Sequence, residues 1–171
     1  MVDEAKVAEI MSCQVRVFPN DANHVGNMFG GRIMEIMDSC AGITADRFAS
    51  DAHHCVTATV ETVQFRLPVH VGDILKFDSQ VVYAGRTSMV IRVDAYRYAR
   101  GQQEEDLCTS AHLIFVAMDA ESKSVPVPEL AVASGKARDA WKIGKAVRGD
   151  RAETQNNRCN LHIAGTPAVD D

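Results

Sequence analysis

Apolar residues recur with helical spacing in the first third of the chain, at positions 33, 34, 37, 40, 41, 44, 45 and 48. This i, i+3, i+4, i+7 spacing predicts a helix that buries one stripe and ends near Ser50. A polar loop, residues 19–29, contains Gly26 and precedes the helix, which opens with Gly30 and Gly31. One acid, Asp38, lies beside the stripe, near Met37 and Cys40. A loop of this kind that leads into a helix with a carboxylate next to its apolar stripe is a candidate functional site.

The remaining pattern up to residue 118 is that of β-strands. Alternating apolar and polar residues predict one strand at 11–18 and four more at 55–65, 74–83, 87–98 and 107–118. The apolar phase slips between Val60 and Val63, which predicts a bulge in the first of these four strands. Towards its end the last strand is apolar on both faces, as is typical of a central strand covered on both sides.

The connections between the last four strands are short, which implies antiparallel pairing. A single long helix has to bury its stripe on this sheet, and the sheet has to curve around the helix because no second helix is predicted to cover it. The predicted fold is α+β, the hot-dog arrangement of a long central helix wrapped by a curved antiparallel β-sheet. We place this domain at residues 1–130 and expect a basic and then polar tail at 131–171, partly disordered.

Composition excludes several classes of protein. At 171 residues the chain suits one domain, and its net charge of −5 disfavours nucleic-acid binding. Five cysteines without a CxxC pair, and histidines without ligand spacing, predict no disulfide framework, no metal site and no cofactor. We expect a cytoplasmic protein with no membrane segment, because neither a signal peptide nor a sufficiently long apolar run is present.

Two polar residues of the opening stretch could carry chemistry, and each has a plain structural alternative. Asp38 could act as a general base or a nucleophile, or it could be only the polar edge of the helix. Asn23 could hold a water molecule or a carbonyl oxygen through its amide, or it could simply form a turn. His24, in the same loop, is a further possible base or an exposed loop residue.

Two glycine-containing segments could bind a ligand. Gly30 and Gly31 open the helix, where free N–H groups can polarise a carbonyl, although glycines there can also serve close packing. Arg86, Thr87 and Ser88 follow a glycine at a strand start, and their guanidinium and hydroxyl groups suit a phosphate. The alternative for this second segment is a hairpin turn with a solvated arginine.

Six spaced blocks of residues follow one another along the chain. They are Asn23-x-x-Gly26-x-x-Phe29-Gly30-Gly31; Met34-x-x-Met37-Asp38; Val60-x-x-Val63-x-Phe65-x-x-Pro68-Val69-x-x-Gly72-Asp73; Gly85-Arg86-Thr87-Ser88-Met89; Phe115-Val116-Ala117-Met118-Asp119; and Val125-Pro126-Val127-Pro128. In this order they resemble the acyl-CoA thioesterases of the hot-dog fold, of the acyl-CoA hydrolase type. The resemblance covers about residues 11–128 and does not extend to the tail.

The resemblance implies a catalytic pair that two subunits share. In this family the loop asparagine and the helix aspartate form the pair, and they fall on Asn23 of one subunit and Asp38 of the other. A homodimer would then be the catalytic unit, assembled further into a hexamer as a trimer of dimers. The segment with Arg86, Thr87 and Ser88 would meet the CoA end of the ligand.

The reaction implied is hydrolysis of acyl-CoA to a free carboxylic acid and CoA. Gly30 and Gly31 would polarise the thioester carbonyl, and the acyl chain would lie along Met34, Val60 and Phe65. Three alternatives stay open: a module of the same fold that binds acyl-CoA without cleaving it, a hot-dog dehydratase with His24 as its base, and an assembly protein whose tail binds a partner.

Overall fold

The computed structural model describes residues 5–101, 104–133 and 135–163. Five strands form one antiparallel sheet in the order β1-β3-β4-β5-β2, so that β1 and β2 are its two edges. The elements are β1 (Met11–Arg16), α1 (Gly30–Phe48), β2 (His54–Phe65), β3 (Ile74–Ala84), β4 (Ser88–Tyr98), β5 (Asp106–Met118) and α2 (Gly135–Ile163). The predicted α+β fold, with one long helix on an antiparallel sheet, is confirmed.

Helix α1 buries most of the predicted stripe against one face of the sheet. Residues 33, 37, 40, 41, 44, 45 and 48 are buried there, together with the large sheet side chains Phe77 and Phe115. Met34 is 40% exposed, and Ile36 is buried in its place. The stripe is therefore rotated slightly towards position 36, which lies three residues after Ile33 and four before Cys40 on the same face.

Strand β2 carries the irregularity that the phase slip predicted. Its pairing with β5 changes register twice, between Thr57 and Thr59 and between Glu61 and Gln64. Thr62 has a positive φ of 49°, which marks a locally strained turn of the backbone inside the second irregularity. Because β5 occupies one side of β2, the other side of β2 is a free sheet edge in a single chain.

Helix α2 covers part of the opposite face of the sheet. Val82, Val90 and Ile114 form a second apolar cluster there, against which Ala140 and Val147 of α2 pack. The expectation that one helix alone covers the sheet was therefore wrong. Helix α2 was not predicted because its apolar positions are interleaved with bases, which makes them hard to recognise in the sequence. Ile114 lies in β5, so its packing against α2 agrees with the prediction that β5 is covered on both sides.

Helix α2 extends far into the C-terminal tail. Residues 152–163 belong to it, and this stretch contains no proline and no glycine to end a helix. Residues 164–171 lie outside the described residues. No described helix combines the length and the apolar character needed to cross a membrane.

Candidate active site

Asp38 lies on the third turn of α1 and faces the edge strand β2. Its Oδ1 accepts a hydrogen bond of 2.7 Å from Oγ1 of Thr57. Asp38 is half-buried and Thr57 is exposed, so the carboxylate is held in place but stays open to solvent. Thr57 was not predicted from the sequence, because a lone threonine in a strand has nothing in its neighbouring residues to mark it as a partner of an acid on a helix.

Asn23 organises the loop that precedes α1. Its Oδ1 accepts hydrogen bonds from the backbone N–H groups of Val25, at 3.0 Å, and Asn27, at 3.1 Å. Gly26 turns the loop with a φ of +82°, and its N–H donates to the Asn23 carbonyl. The structural role proposed for Asn23 is therefore present, and the side-chain oxygen serves it. The Nδ2 amide is the group with which Asn23 could bind a ligand. His24, in the same loop, is exposed.

The first N–H groups of α1 are not capped by a side chain, since Phe29 at the N-cap makes no side-chain cap. Helices leave these donors without intrahelical partners, so they can bind a carbonyl or an anion. A Cβ at Gly30 would lie 3.2 Å from the Phe65 ring, and one at Gly31 would lie 2.8 Å from the Phe29 ring. A side chain at either glycine would require these rings to shift, so the close-packing role of the two glycines is present as well.

A groove of about 400 Å³ opens beside this helix start. Asn23, Gly30 and Phe65 line it together, over an apolar floor that includes Met28, Ile33 and Val69. Phe65 is 52% exposed. The structure thus brings three of the predicted site residues together. Met34 and Val60, predicted to contact the acyl chain, are exposed and do not line this groove.

Asp38 belongs to a different place in the same protomer. It does not line the groove, and it lies eight residues beyond Gly30, about 12 Å along the helix axis at the usual helical rise. Helix α1 and strand β2 run in opposite directions: Gly30 lies against Phe65, whereas Asp46 accepts a hydrogen bond from the Cys55 N–H near the start of β2. Within one protomer, Asn23 and Asp38 are therefore found at different positions along the edge strand.

The turn between β3 and β4, residues 85–88, holds the other predicted group. It is closed by the Gly85 N–H, which donates to the Ser88 carbonyl at 2.8 Å. Arg86 is exposed and Thr87 is half-buried, but Ser88 is buried and its Oγ accepts a 3.1 Å hydrogen bond from Nε of Arg148 in α2. Arg86 is thus open to an anion, whereas the Ser88 hydroxyl is engaged by the C-terminal helix.

The cysteines near Asp38 do not compete with it as nucleophiles. Burial raises the pKa of the Cys40 thiol to about 12, with a smaller contribution from Cys13. Burial also raises the pKa of Cys55 to about 12, and Asp46 adds to this effect. Both remain protonated at neutral pH, and a protonated thiol is a poor nucleophile. Over residues 5–101, 104–133 and 135–163, no cluster of His, Cys, Asp and Glu side chains is placed to hold a metal ion.

Comparison with known proteins gives a consistent set of relatives. A model of the thioesterase superfamily matches residues 25–103. A Zymomonas mobilis protein, named as an uncharacterized acyl-CoA thioester hydrolase, is 36% identical over 117 residues, which is 68% of this chain and 77% of the relative. A Bacillus subtilis protein of the same description is 35% identical over 119 residues, or 67% of this chain and 66% of that protein. The human cytosolic acyl coenzyme A thioester hydrolase is 30% identical over 135 residues, which are 75% of this chain but only 34% of the human protein.

Solved structures agree with these relatives. The acyl-CoA hydrolase of Staphylococcus aureus, described in complex with butyryl coenzyme A and coenzyme A, has a TM-score of 0.79 and 31% identity over 90% of this chain and 92% of that one. Other structures of that enzyme are variants in which an asparagine, a threonine or an aspartate is replaced with alanine. A hexameric acyl-CoA thioesterase has a TM-score of 0.79 and 29% identity, over 85% of this chain and 92% of that one.

Proposed function

The chain belongs to the acyl-CoA thioester hydrolases of the thioesterase superfamily, and from this premise we propose that it hydrolyses acyl-CoA to a carboxylic acid and CoA at sites shared by two protomers. The observation that carries the shared site is the separation of its halves within one chain. Asn23 and Gly30 line one groove with Phe65, whereas Asp38 is held elsewhere by Thr57.

The free edge of β2 offers a way to join the two halves. An unpaired edge with exposed apolar side chains, here Val60 at 46% and Phe65 at 52%, invites pairing with another strand. Two copies that pair their β2 strands about a two-fold axis run antiparallel, so the Phe65 end of one strand meets the Thr57 end of the other. This arrangement moves the partner's Asn23 and the partner's Gly30 towards Asp38.

In such a site the uncapped N–H groups at the start of the partner subunit's α1 polarise the thioester carbonyl. Asp38 accepts a proton from a water molecule, the oxygen of which attacks the carbonyl carbon. The partner's Asn23 amide orients that water or the carbonyl. The tetrahedral intermediate then collapses, the C–S bond breaks, and CoA leaves as a thiolate that takes up a proton. Thr57 binds only Oδ1 of Asp38, which leaves Oδ2 for the proton transfer.

A direct attack by Asp38 would instead form a mixed anhydride, which water cleaves in a second step. The presence of ¹⁸O in Asp38 after single-turnover hydrolysis in ¹⁸O-labelled water identifies the anhydride route. A general base leaves Asp38 unlabelled after one turnover, whereas a water attack at the Asp38 carbonyl of the anhydride places ¹⁸O in this carboxylate.

The acyl chain and the CoA portion occupy opposite directions from the thioester in this proposal. The apolar groove with Phe65 receives the start of the acyl chain, and Met34 and Val60 contact it where the two protomers meet. Arg86 meets a phosphate of CoA, and Thr87 lies beside it. Ser88 supports the turn through its bond with Arg148.

We also propose that the protein is a trimer of dimers in the cytoplasm. The dimer is the catalytic unit, and a trimer of such dimers is supported by the hexameric thioesterase of similar fold. A cytoplasmic location is supported by the human relative, which is named as cytosolic, and by the unpaired state of Cys13, Cys40, Cys55 and Cys108.

The experiment that tests the function measures thiol release from acetyl-, butyryl-, decanoyl-, palmitoyl- and benzoyl-CoA. We expect turnover of at least one of these, and a kcat lower by at least about a hundred-fold in Asp38→Asn. Ser39→Ala, at an exposed neighbouring position of α1, is the matched control and should keep full activity. Binding of acyl-CoA with no thiol release, or hydration of an enoyl-CoA that depends on His24, would contradict the proposal.

A further inference from the structure

One edge of helix α2 lies against the β3–β4 turn. Nε of Arg148 donates to Oγ of Ser88 at 3.1 Å, and the Trp141 ring packs on Tyr83 with 5.7 Å between the ring centroids. Gly144 brings the helix backbone onto β3, since a Cβ there would lie 2.9 Å from Cβ of Tyr83. These contacts determine which edge of α2 faces the turn.

The edge that faces the turn is basic. Positions 138, 141, 145 and 148 are three or four residues apart and therefore lie along one side of the helix. Arg138 and Lys145 are exposed, and Nζ of Lys145 lies 4.9 Å from the centroid of the Trp141 ring. With Arg148 and the exposed Arg86 of the turn, these cations form what we call the basic edge: Arg86, Arg138, Lys145 and Arg148.

The basic edge contrasts with the chain as a whole, which has a net charge of −5. Asp139 is the one acid among residues 135–149, and it pairs with Lys142 at 3.4 Å instead of with the basic edge. The four cations therefore form a local positive surface in an acidic protein, and such a surface attracts polyanions of compact size.

The same turn lies near the proposed reaction centre. Met89, directly after the turn, pairs with Phe115 of β5, and Phe115 pairs with Thr57 of β2. Two strand spacings, about 10 Å, therefore separate Met89 from Thr57, which donates a hydrogen bond to Asp38. A CoA thioester placed at Asp38 extends its pantetheine arm well beyond this distance, so its phosphates can reach the rim of the sheet where α2 and the turn meet.

We propose that the basic edge binds the phosphates at the 3′-phospho-ADP end of CoA, so that α2 is part of the substrate site. The identity of the ligand rests on the proposed function. Arginine forks bind phosphate oxygens in pairs, and lysine adds a mobile positive charge. The bond from Arg148 to Ser88 and the close approach at Gly144 hold these cations at a fixed position next to the turn.

The test is a calorimetric titration of the full chain with CoA and with pantetheine, which lacks the phosphates. For the double variant Arg138→Ala/Lys145→Ala we expect a Kd for CoA that is about ten-fold higher and less dependent on salt, with unchanged affinity for pantetheine. Lys136→Ala, which removes an exposed cation from the opposite edge of the same helix, is the matched control and should bind CoA like the parent.

Unchanged CoA affinity in the double variant, or an equal loss in Lys136→Ala, would overturn the proposal. A loss of pantetheine affinity equal to the loss of CoA affinity would also overturn it, because the phosphates would then not be what the edge recognises. A parent protein that binds CoA through this edge but releases no thiol from any acyl-CoA would contradict the proposed function alone, so the two failures are distinguishable.

Discussion

Thr57 on the edge strand β2 donates a 2.7 Å hydrogen bond to Oδ1 of Asp38 on α1. This bond links the acid of the helix to the strand whose free edge a second protomer would pair with. It fixes the rotamer of Asp38 and leaves the other carboxylate oxygen available. Thr57 therefore has a predicted role in positioning the carboxylate, in addition to its place in the sheet.

Replacement of Thr57 tests this positioning role. Thr57→Ala should lower kcat by about ten- to a hundred-fold, because a carboxylate that rotates freely spends less time in the reactive geometry. Thr57→Ser keeps the hydroxyl and should retain most of the activity. The measurement is thiol release, with thermal unfolding as a check of the fold. A serine variant as slow as the alanine variant would show that the hydroxyl is not what matters.

Asn23 has two functions that one substitution can separate. Asn23→Asp keeps the side-chain oxygen that accepts from Val25 and Asn27, but it lacks the amide. We expect this variant to unfold at nearly the same temperature as the parent and to lose at least about a hundred-fold in kcat. Asn23→Ala should lose both stability and activity, because the loop donors lose their acceptor. Full activity in Asn23→Asp would exclude a role for the amide.

The close approach of α2 to β3 predicts a stability effect at one glycine and not at another. Gly144→Ala should lower the free energy of unfolding by about 1–3 kcal/mol, because its Cβ would lie within 2.9 Å of Val82 and Tyr83 side-chain atoms. Gly149→Ala, on the same helix with open space around it, should be neutral or stabilising by up to about 1 kcal/mol. The measurement is denaturant unfolding of both variants. Equal changes in the free energy of unfolding would contradict the close packing of α2 on β3.

The elements that the sequence predicted are those with a strong local pattern. The stripe of α1 and the alternation in the strands each repeat over many residues, and even the slip between Val60 and Val63 is a local signal that β2 shows as shifts in register. Local periodicity is sufficient for such elements, because burial on a single face imposes it directly. Helix α2 was missed because the apolar residues with which it packs on the sheet, such as Ala140 and Val147, are few and lie among bases.

The candidate site was predictable only in part, for the same reason. Asn23, Gly30 and Asp38 stand in one short stretch with an unusual composition, so the sequence could single them out. The bond from Thr57 to Asp38 and the bond from Arg148 to Ser88 join residues 19 and 60 positions apart. Nothing in the local sequence encodes such contacts, since they depend on how the sheet is ordered and on which face α2 covers.

The buried thiol of Cys40 predicts a loss of stability in alkaline solution. Its pKa is about 12 in the folded chain, against an ordinary value of 9.0. Above pH 9 the unfolded state therefore loses a proton that the folded state keeps, and the free energy of unfolding falls as the pH rises from about 9 towards 12. Cys40→Ala should show a shallower fall over this range in denaturant titrations. An identical slope in both proteins would show that Cys40 does not contribute.

The shared site is tested most directly by mixing two inactive variants, Asn23→Asp and Asp38→Asn, under conditions of proven subunit exchange. A mixed dimer has one site with both native residues, so random exchange should restore about a quarter of the parent kcat per protomer. Each variant alone should stay inactive, and the double variant Asn23→Asp/Asp38→Asn mixed with the parent serves as the control for exchange. No recovery after exchange would contradict the shared site and place Asn23 and Asp38 in the same protomer's chemistry.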